Sequence, residues 1–440
     1  MKNFIASLFL HYLRLLAKIQ LAKINFLQKI KGKKLTIVGI TGSAGKSSTV
    51  NACQAILKSH FLVTTSAGSN SESGIPLNIL GIKIATYSII NWIKIALIAP
   101  IKLLTNWQSF DIYIAEMGVD APNAPKNMSY LLKILKPHIG VFLNAGLAHT
   151  ANFSDFNDPL LRLAQEKAKL INSLNKNNFA IINSLDPLVT KTTSFSTAQK
   201  LSIGKSSQNT IKLISSSPTS GFQMDFQYHN KIYQLQFNQL ILPSVYQISF
   251  ASAICVGLSQ NLSITDIIAN LQNNFVLPPG RSSLFSGINH SKIIDSSYNS
   301  SPIAISSYLS LLDSFKNNYK IAIIGDMREL GQSSLSSHQQ IYNLALKHTD
   351  LIISVGPETK KYFGNKTQKF DFWWQALSFL KLHLKPKSII LVKGSQNTIY
   401  LEELVKNILK NKSDQKLLCR QSPYWLKVKK TFRIQHSPIE

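Results

Sequence analysis

A short apolar segment that runs into a glycine-rich turn and then a helical pattern restricts the fold of this chain more than any other feature. Residues 35–40 read Leu-Thr-Ile-Val-Gly-Ile, the pattern of a buried β-strand. Glycines in the turn let backbone N–H groups approach phosphate oxygens, and the start of the next helix favours negative charge. In such a loop Lys46 neutralises the β- and γ-phosphates, and the Ser47 hydroxyl is a ligand for Mg²⁺. The predicted phosphate loop consists of Gly42, Ser43, Ala44, Gly45, Lys46, Ser47 and Ser48.

Alternating strand-like and helical segments predict the α/β fold class. With 440 residues, of which 45% are hydrophobic, the chain suits two or three domains. The linker is predicted at 278–280, Pro-Pro-Gly, and the alternation after it is typical of a Rossmann-like domain. We therefore expect a short N-terminal amphipathic basic helix at 1–34, a central P-loop ATPase domain with a mostly parallel sheet at 35–280, and a C-terminal Rossmann-like domain at 281–440. Further strands are predicted at 111–117, 139–144, 179–183, 293–296, 321–325, 351–355 and 389–392.

Charge and cysteine content limit the partners and the compartment. The chain has 48 Lys and Arg against 21 Asp and Glu, a formal net charge of +27, which favours anionic partners, although a general drift of composition towards lysine explains it equally well. No arginine-rich tract or aromatic stacking motif indicates nucleic-acid binding. Cys53, Cys255 and Cys419 form no CxxC pair, so we expect neither a disulfide nor a zinc site, and a cytoplasmic setting. No run reaches the roughly 20 apolar residues of a membrane span, and no signal-peptide cleavage site is recognisable.

Two apolar, basic segments stand apart from the predicted strands. Residues 1–34 repeat apolar side chains at helical spacing, and a second segment at 82–107 is broken at Pro100. The first acidic residue of the whole chain is Glu72. Segments of this kind bind an anionic membrane surface, or they pack on each other and on the main body of a protein. Both interpretations stay open, so peripheral contact with the inner membrane face is one of the expected partners.

A series of motifs resembles the Mur ligase family, and within it the branch that adds D-alanyl-D-alanine. The loop Gly-x-x-Gly-Lys-Ser-Ser has the form found in that family, with Ile40 where the general P-loop pattern has glycine. The resemblance covers nearly the whole chain beyond residue 35. Its other motifs are Asn70-Ser71-Glu72-Ser73-Gly74-Ile75-Pro76-Leu77, Ala115-Glu116-Met117-Gly118, Lys136-Pro137, Asn144-Ala145-Gly146-Leu147-Ala148-His149, Gln165-Glu166-Lys167, residues 295–302, Gly325-Asp326-Met327-Arg328-Glu329-Leu330-Gly331 and Val392-Lys393-Gly394-Ser395.

The resemblance implies an ATP- and Mg²⁺-dependent amide ligase that works through an acyl-phosphate. Its expected substrates are a nucleotide-linked muramoyl peptide and D-alanyl-D-alanine in peptidoglycan synthesis, and we expect a monomer. Lys167 would react with CO2 to give a carbamate, although a helix-surface position is the alternative because Lys169 is close by. Arg281 would reach the γ-phosphate when the C-terminal domain closes. The implied metal ligands are Ser47, Glu116, His149 and Lys167; the implied nucleotide contacts besides the loop are Asn144, Arg281, Asp295 and Asn299; the implied catalytic residues are Lys46, Lys167, His149 and Arg281.

The sequence departs from the family in three places. Only 41 residues precede Gly42, so we expect the family's N-terminal domain that binds the uridine diphosphate group to be missing. Ser296 replaces the second aspartate of Asp-Asp-x-Tyr-Asn, and Phe250 stands where asparagine is common, which affects the adenine and ribose contacts. Two other functions therefore compete with the first. They are an amide ligase for a lipid-linked or non-cell-wall substrate, and a nucleotide-binding scaffold that has lost catalysis.

Overall fold

The structure is a computed structural model that describes residues 2–66, 68–83, 88–218, 221–394 and 397–436. The chain divides into two compact units. Each contains a sheet flanked by helices, which confirms the predicted α/β class. The first unit comprises Met1–Ser215, Met224–Leu235 and Tyr246–Val276, and the second comprises Ser216–Gln223, Gln236–Val245 and Leu277–Glu440.

The strand before the phosphate loop lies inside a nine-stranded sheet. Strand β1 (Thr36–Thr41) is parallel to β3 (Ile112–Glu116) on one side and to β4 (Ile139–Phe142) on the other. Because carboxyl ends of parallel strands meet at one edge of a sheet, the loops after β1, β3 and β4 share that edge. The remaining strands are β2 (Val63–Thr65) beyond β3, and then, beyond β4 in this order, β5 (Phe179–Asn183), β6 (Gln199–Gly204), β7 (Ile211–Ser217), β8 (Phe222–Tyr228) and β9 (Lys231–Phe237).

In the spatial order of this sheet, all strands from β2 across β1 to β7 are parallel. Strands β8 and β9 are joined by a two-residue turn. Both turn residues, His229 and Asn230, have positive φ, as tight hairpins between antiparallel strands require. The helices of the first unit are α1 (Lys2–Ile30), α2 (Lys46–Leu57), α3 (Gly74–Leu80), α4 (Ile89–Thr105), α5 (Met128–Leu132), α6 (Pro159–Asn172), α7 (Pro187–Thr192), α8 (Tyr246–Ser259) and α9 (Ile264–Asn274).

The second unit is built on a six-stranded sheet in the order β10-β11-β15-β12-β13-β14. Only the pair β10 and β11 is antiparallel among the pairings of this sheet. Its strands are β10 (Ser283–Ser286), β11 (Lys292–Ser296), β12 (Lys320–Gly325), β13 (Leu351–Val355), β14 (Gln368–Phe370) and β15 (Ile389–Lys393). Its helices are α10 (Pro302–Leu311), α11 (Ser334–His348), α12 (Pro357–Tyr362), α13 (Trp373–His383), α14 (Leu401–Ile408) and α15 (Pro423–His436).

Helices α1 and α4, which correspond to the two apolar, basic segments, pack on each other and on the first unit. Leu13 and Leu16 of α1 share a buried cluster with Ile95 and Ala99 of α4. Further along α1, Ala17, Leu21 and Ile24 join the core that surrounds the central strands. Within the part of the chain that the structure describes, no helix is long and apolar enough to cross a membrane.

The prediction of a break at Pro100 is wrong, because α4 continues through this residue. Proline has no N–H group to donate to the carbonyl four residues earlier, and that loss usually bends or ends a helix. Here the Tyr12 hydroxyl donates a hydrogen bond of 2.9 Å to this carbonyl, that of Ala96. A tertiary contact from α1 therefore satisfies the acceptor that the proline leaves unpaired within its own helix.

This contact predicts a measurable coupling between Tyr12 and Pro100. Tyr12→Phe removes the donor to the Ala96 carbonyl and should lower the free energy of unfolding by about 1 kcal/mol, measured by urea denaturation. In a Pro100→Ala background the N–H of residue 100 is able to donate to the same carbonyl. The same Tyr12 substitution should then cost much less, and an equal cost in both backgrounds would contradict the explanation.

Candidate active site

The phosphate loop between β1 and α2 is held in shape by an amide side chain from a neighbouring loop. The N–H groups of Ser43 and Ala44 donate to Oδ1 of Asn144 at 3.0 and 2.8 Å, and Nδ2 of Asn144 donates to the Ala44 carbonyl at 3.0 Å. Gly45 has a left-handed φ of 85°, which favours glycine, directly before the first residue of α2. The loop therefore presents the N-terminus of a 12-residue helix at the carboxyl edge of the sheet.

Ser47 and Glu116 meet at this edge. The Ser47 hydroxyl donates to Oε2 of Glu116 at 2.7 Å, and Nδ2 of Asn70 lies 3.4 Å from the other carboxylate oxygen. Strand pairing explains the position of Glu116, since it is opposite Ile40 in the register of β1 and β3. The backbone N–H of Glu116 also donates to Oγ of Ser66 at 3.0 Å. Ser48, the next residue of α2, is buried.

A hydroxyl and a carboxylate side by side are suitable oxygen donors for Mg²⁺. This cation usually takes one or two protein carboxylates and completes its shell with phosphates and water. Across the described residues there is no group of three or more His, Cys, Asp and Glu side chains that could enclose a metal on its own. The donor set of Ser47 and Glu116 therefore fits a cation that nucleotide phosphates help to hold, rather than one bound by protein alone.

Two lysines lie at this edge of the sheet. Nζ of Lys46 donates to the Gly42 carbonyl at 2.9 Å, so the side chain lies across the phosphate loop. Lys167 belongs to α6 and is 1% exposed. Burial, reinforced by the charge of Lys46 and opposed by that of Asp120, lowers the pKa of Lys167 to about 7. A large fraction of Lys167 is therefore a neutral amine near neutral pH.

The burial of Lys167 and the contacts of its neighbours exclude the helix-surface position that the sequence left open as an alternative. Lys169 is the partly exposed lysine, and it forms an ion pair of 2.5 Å with Oε2 of Glu166. The buried Glu166 also accepts a hydrogen bond of 3.0 Å from the N–H of Met128. Glu166 is thus engaged by Lys169 and the start of α5, and the structure places Lys167, not Lys169, in the interior.

His149 and Asp120 lie together in the loops that follow β4 and β3. Nδ1 of His149 is 3.5 Å from Oδ1 of Asp120, and His149 adopts a left-handed φ of 73°. Asp120 belongs to none of the motifs that predicted site residues. Its position four residues after Glu116, in the loop after the same strand, is the signal that would have identified it. Metal ligation by His149 stays a prediction.

The second unit holds its own buried polar cluster around the end of β11. Asp295 is completely buried; its Oδ1 accepts the Ser297 N–H at 3.0 Å, and its Oδ2 has no hydrogen-bond partner among the residues that the structure describes. Burial raises the pKa of the Asp295 carboxyl, while the hydrogen bond from Ser297 and the charge of Lys393 lower it. Nζ of Lys393 donates to the carbonyls of Ser296 and Asn299. Asp295 therefore shapes this loop from the interior of the unit.

Arg281 and Asn299 flank this cluster. The guanidinium of Arg281 lies 4.8 Å from the centre of the Tyr298 ring, and Oδ1 of Asn299 accepts the N–H of Ser300 at 2.7 Å. Burial and the charge of Arg281, opposed by Asp295, lower the pKa of Lys393 to about 7. The nucleotide contacts of Arg281, Asp295 and Asn299 stay predictions. Ser395, the last residue of the motif that contains Lys393, lies outside the described residues.

Phe250, at the position where the family commonly has asparagine, is completely buried in α8. Its ring packs edge-to-face on Phe275 with the ring centres 5.0 Å apart. The substitution therefore contributes to the core between α8 and the end of α9. It does not offer a polar group to an adenine ring.

Comparison with known proteins places this arrangement in a family. The family model of the Mur ligase middle domain matches residues 40–254, and that of the Mur ligase glutamate ligase domain matches residues 280–396. The UDP-N-acetylmuramoyl-tripeptide–D-alanyl-D-alanine ligase of Rickettsia prowazekii is 27% identical over 393 residues, which cover 86% of this chain and 79% of that protein. The enzyme of the same name from Buchnera aphidicola (strain Bp) is 26% identical over 381 residues, which cover 84% of this chain and 75% of that protein.

Solved structures show the same fold. The MurF ligase of Thermotoga maritima in complex with ADP superimposes with a TM-score of 0.72 at 22% identity, over 93% of this chain and 84% of that one. MurF from Acinetobacter baumannii gives a TM-score of 0.71 at 19% identity, over 89% and 81%. The two family models together cover well over half of the sequence and include the phosphate loop, Glu116 and Lys167. The chain belongs to the Mur ligase family of ATP-dependent ligases.

Proposed function

We propose that this ligase joins the amino group of D-alanyl-D-alanine to a carboxylate of a UDP-N-acetylmuramoyl-tripeptide. The observation that carries the proposal is the phosphate loop with Lys46 across it and the Ser47–Glu116 pair beside it. The relatives from Rickettsia and Buchnera, which align with more than four fifths of this chain, are named for that reaction. An amide ligase for another carboxylate and amine is the second candidate, because the relatives named for this reaction are only 26–27% identical to this chain.

The chemistry requires two anions to meet. The substrate carboxylate attacks the γ-phosphorus of ATP, which forms an acyl-phosphate and breaks the bond to ADP. The amine nitrogen then attacks the acyl carbon, phosphate leaves with its oxygen, and the amine gives up a proton. The positive charge of Lys46 and the N-terminus of α2 offset the repulsion in the first step.

Mg²⁺ is the proposed cation of this site. Ser47 and Glu116 would hold it, since their oxygens are already 2.7 Å apart at the end of the phosphate loop. When bound, the cation supplies charge neutralisation to the phosphates. The hydrogen bond from Ser47 and the more distant amide of Asn70 keep the Glu116 carboxylate oriented towards the start of α2.

Lys167 is the proposed site of a carbamate. A neutral Nζ adds to the carbon of CO2, and the resulting carbamic acid loses a proton to leave one negative charge. The low pKa of Lys167 supports this reaction because only the neutral amine is a nucleophile. The carbamate also exchanges a buried positive charge beside Lys46 for a negative one, which removes the repulsion between the two side chains.

The substrate assignment predicts strict dependence on two partners. With UDP-N-acetylmuramoyl-tripeptide and D-alanyl-D-alanine together, ATP should be hydrolysed in step with formation of a product whose mass equals both substrates less one water. Omission of either substrate should abolish this turnover, measured by phosphate release and mass spectrometry. Turnover only with a different carboxylate and amine would support the second candidate, and no ATP turnover with any pair would indicate a scaffold.

The phosphate loop predicts the effect of Lys46→Ala. The substitution removes the cation that opposes phosphate charge, so the rate of ligation should fall by about 10²-fold or more. The folded structure should survive, because the lysine stem contributes little to the core, and circular dichroism would check this. Lys58→Ala, at an exposed lysine beyond the end of the same helix, is the matched control and should keep wild-type activity. Equal activity of the two variants would refute the role of Lys46.

The carbamate predicts a labelled adduct that depends on pH. With ¹³C-bicarbonate, wild-type enzyme should show a carbamate signal by NMR that grows as the pH rises through about 7, where Lys167 loses its proton. Lys167→Met should remove the signal and lower turnover by about 10²-fold. Lys169→Arg, which preserves the ion pair with Glu166, should retain both. A signal that persists in Lys167→Met, or that is absent from the wild type, would contradict the assignment.

A further inference from the structure

A stripe of large apolar side chains covers the outer side of α4. Five of its members recur at helical spacing and are 58–73% exposed: Ile90, Ile93, Leu97, Ile101 and Leu104. Ile89, Ile98 and the following Trp107 add to it and are also exposed. Only Ile95 and Ala99 of the whole helix are buried. A folded protein normally leaves single apolar residues at its surface, so a contiguous row of this length indicates an interaction surface.

A second stripe lies along α1. Leu8, Leu15, Ile19, Phe26 and Ile30 are 45–67% exposed, and their spacing of seven and four residues places them on one side of the helix. Their side is distinct from the one that Leu13, Ala17 and Ile24 bury in the core.

The two stripes border one seam, because α1 and α4 run side by side in the same direction. Phe9 contacts Trp92 near the start of both helices, and Nζ of Lys23 donates to the Leu103 carbonyl near the end of α4. Lys23 also lies 4.6 Å from the ring centre of Trp107. Successive residues of a helix are rotated by about 100° around its axis. On this basis, each stripe lies next to the contacting residues around the circumference of its helix. We name the combined surface, the exposed stripes of α1 and α4, the α1–α4 face.

The charge around the α1–α4 face has one sign. Residues 1–110 contain thirteen Lys and Arg but a single acidic residue, Glu72. Neither α1 nor α4 contains an Asp or Glu. Lys18 and Lys29 on α1 and Lys94 and Lys102 on α4 are exposed. An apolar surface of this kind with basic residues and an indole at its side matches an anionic bilayer, which offers hydrocarbon and negative headgroups together.

We propose that the α1–α4 face docks the protein on an anionic lipid bilayer, with both helices lying in the plane of the headgroups. A second copy of this chain fits less well, because a symmetric dimer would bring the same lysine-rich surface against itself. The bilayer supplies the opposite charge and covers both stripes at once. The inference is independent of the substrates proposed above.

The docking face is connected to the candidate active site by α3. Leu77 and Leu80 of α3 pack in the cluster that joins α1 and α4. The segment before α3 contains Asn70, whose amide approaches Glu116. Docking through the α1–α4 face would therefore hold the phosphate-loop edge of the first unit at a fixed orientation to the membrane.

Vesicle sedimentation of the full chain tests the proposal. Wild-type protein should sediment at low salt with vesicles of phosphatidylglycerol and phosphatidylcholine in equal parts, and much less with phosphatidylcholine alone. Leu97→Ser combined with Ile101→Ser replaces two exposed side chains of the stripe and should weaken binding at least about tenfold. Lys94→Gln combined with Lys102→Gln should weaken binding at low salt, and high salt should weaken that of the wild type.

The matched control is Phe195→Ser combined with Ile232→Ser, which removes two apolar residues elsewhere in the first unit that are even more exposed than Leu97 and Ile101. It should bind vesicles like the wild type. Circular dichroism and ATP turnover would show that each variant is folded. No sedimentation of the wild type at low salt, or equal binding by the stripe variant, would overturn the proposal. Another combination of results would also overturn it. Light scattering would show a dimer in the absence of lipid, the stripe substitutions would convert this dimer to a monomer, and no form of the protein would bind vesicles.

Discussion

The amide side chain of Asn144 makes the contacts on which the candidate site depends. It accepts two N–H groups of the phosphate loop and donates to the Ala44 carbonyl, so it ties the loop after β1 to the loop after β4. Asn183, at the end of the next strand, donates in turn to the Leu143 carbonyl at 2.8 Å. Three adjacent parallel strands thus fix one another's loops through side-chain amides. The helix N-terminus and Lys46 keep their positions because of this network, which is a requirement for binding phosphate with little reorganisation.

Burial of lysine charge is the second constraint, and among the described residues each unit contains an example whose pKa is strongly lowered. Lys167 and Lys393 are both buried, and the pKa of each is lowered to about 7 by burial and by a neighbouring cation. Their surroundings differ. Lys393 donates to the carbonyls of Ser296 and Asn299, which stabilise the end of β11. Lys167 sits among Lys46 and Asp120 at the phosphate-loop edge, where a neutral amine is useful for chemistry and a carbamate would relieve like-charge repulsion.

Helices α1 and α4 each combine a packed side with an exposed apolar side. Each helix has apolar side chains on two sides, one buried in the first unit and one exposed. The buried sides account for the position of the helices, including the hydrogen bond that lets α4 pass through Pro100. The exposed sides serve no packing purpose within the described residues, and their basic surroundings give them an electrostatic preference for an anionic surface.

The α/β class, the phosphate loop and eight of the fifteen described strands follow from local sequence alone. The strands at 179–183 and 351–355 were predicted with their observed bounds, because buried parallel strands are continuous apolar runs that local pattern reveals. Other features depend on residues that are distant in sequence, so they appear only in the folded structure. The choice between Lys167 and Lys169 required their burial, and the pairing of Ser47 with Glu116 required strand register. Asp120 and the passage of α4 through Pro100 depended on contacts between separate elements. Local sequence carries propensity and periodicity, whereas burial, charge proximity and shared hydrogen bonds exist only once the strands and helices have been brought together.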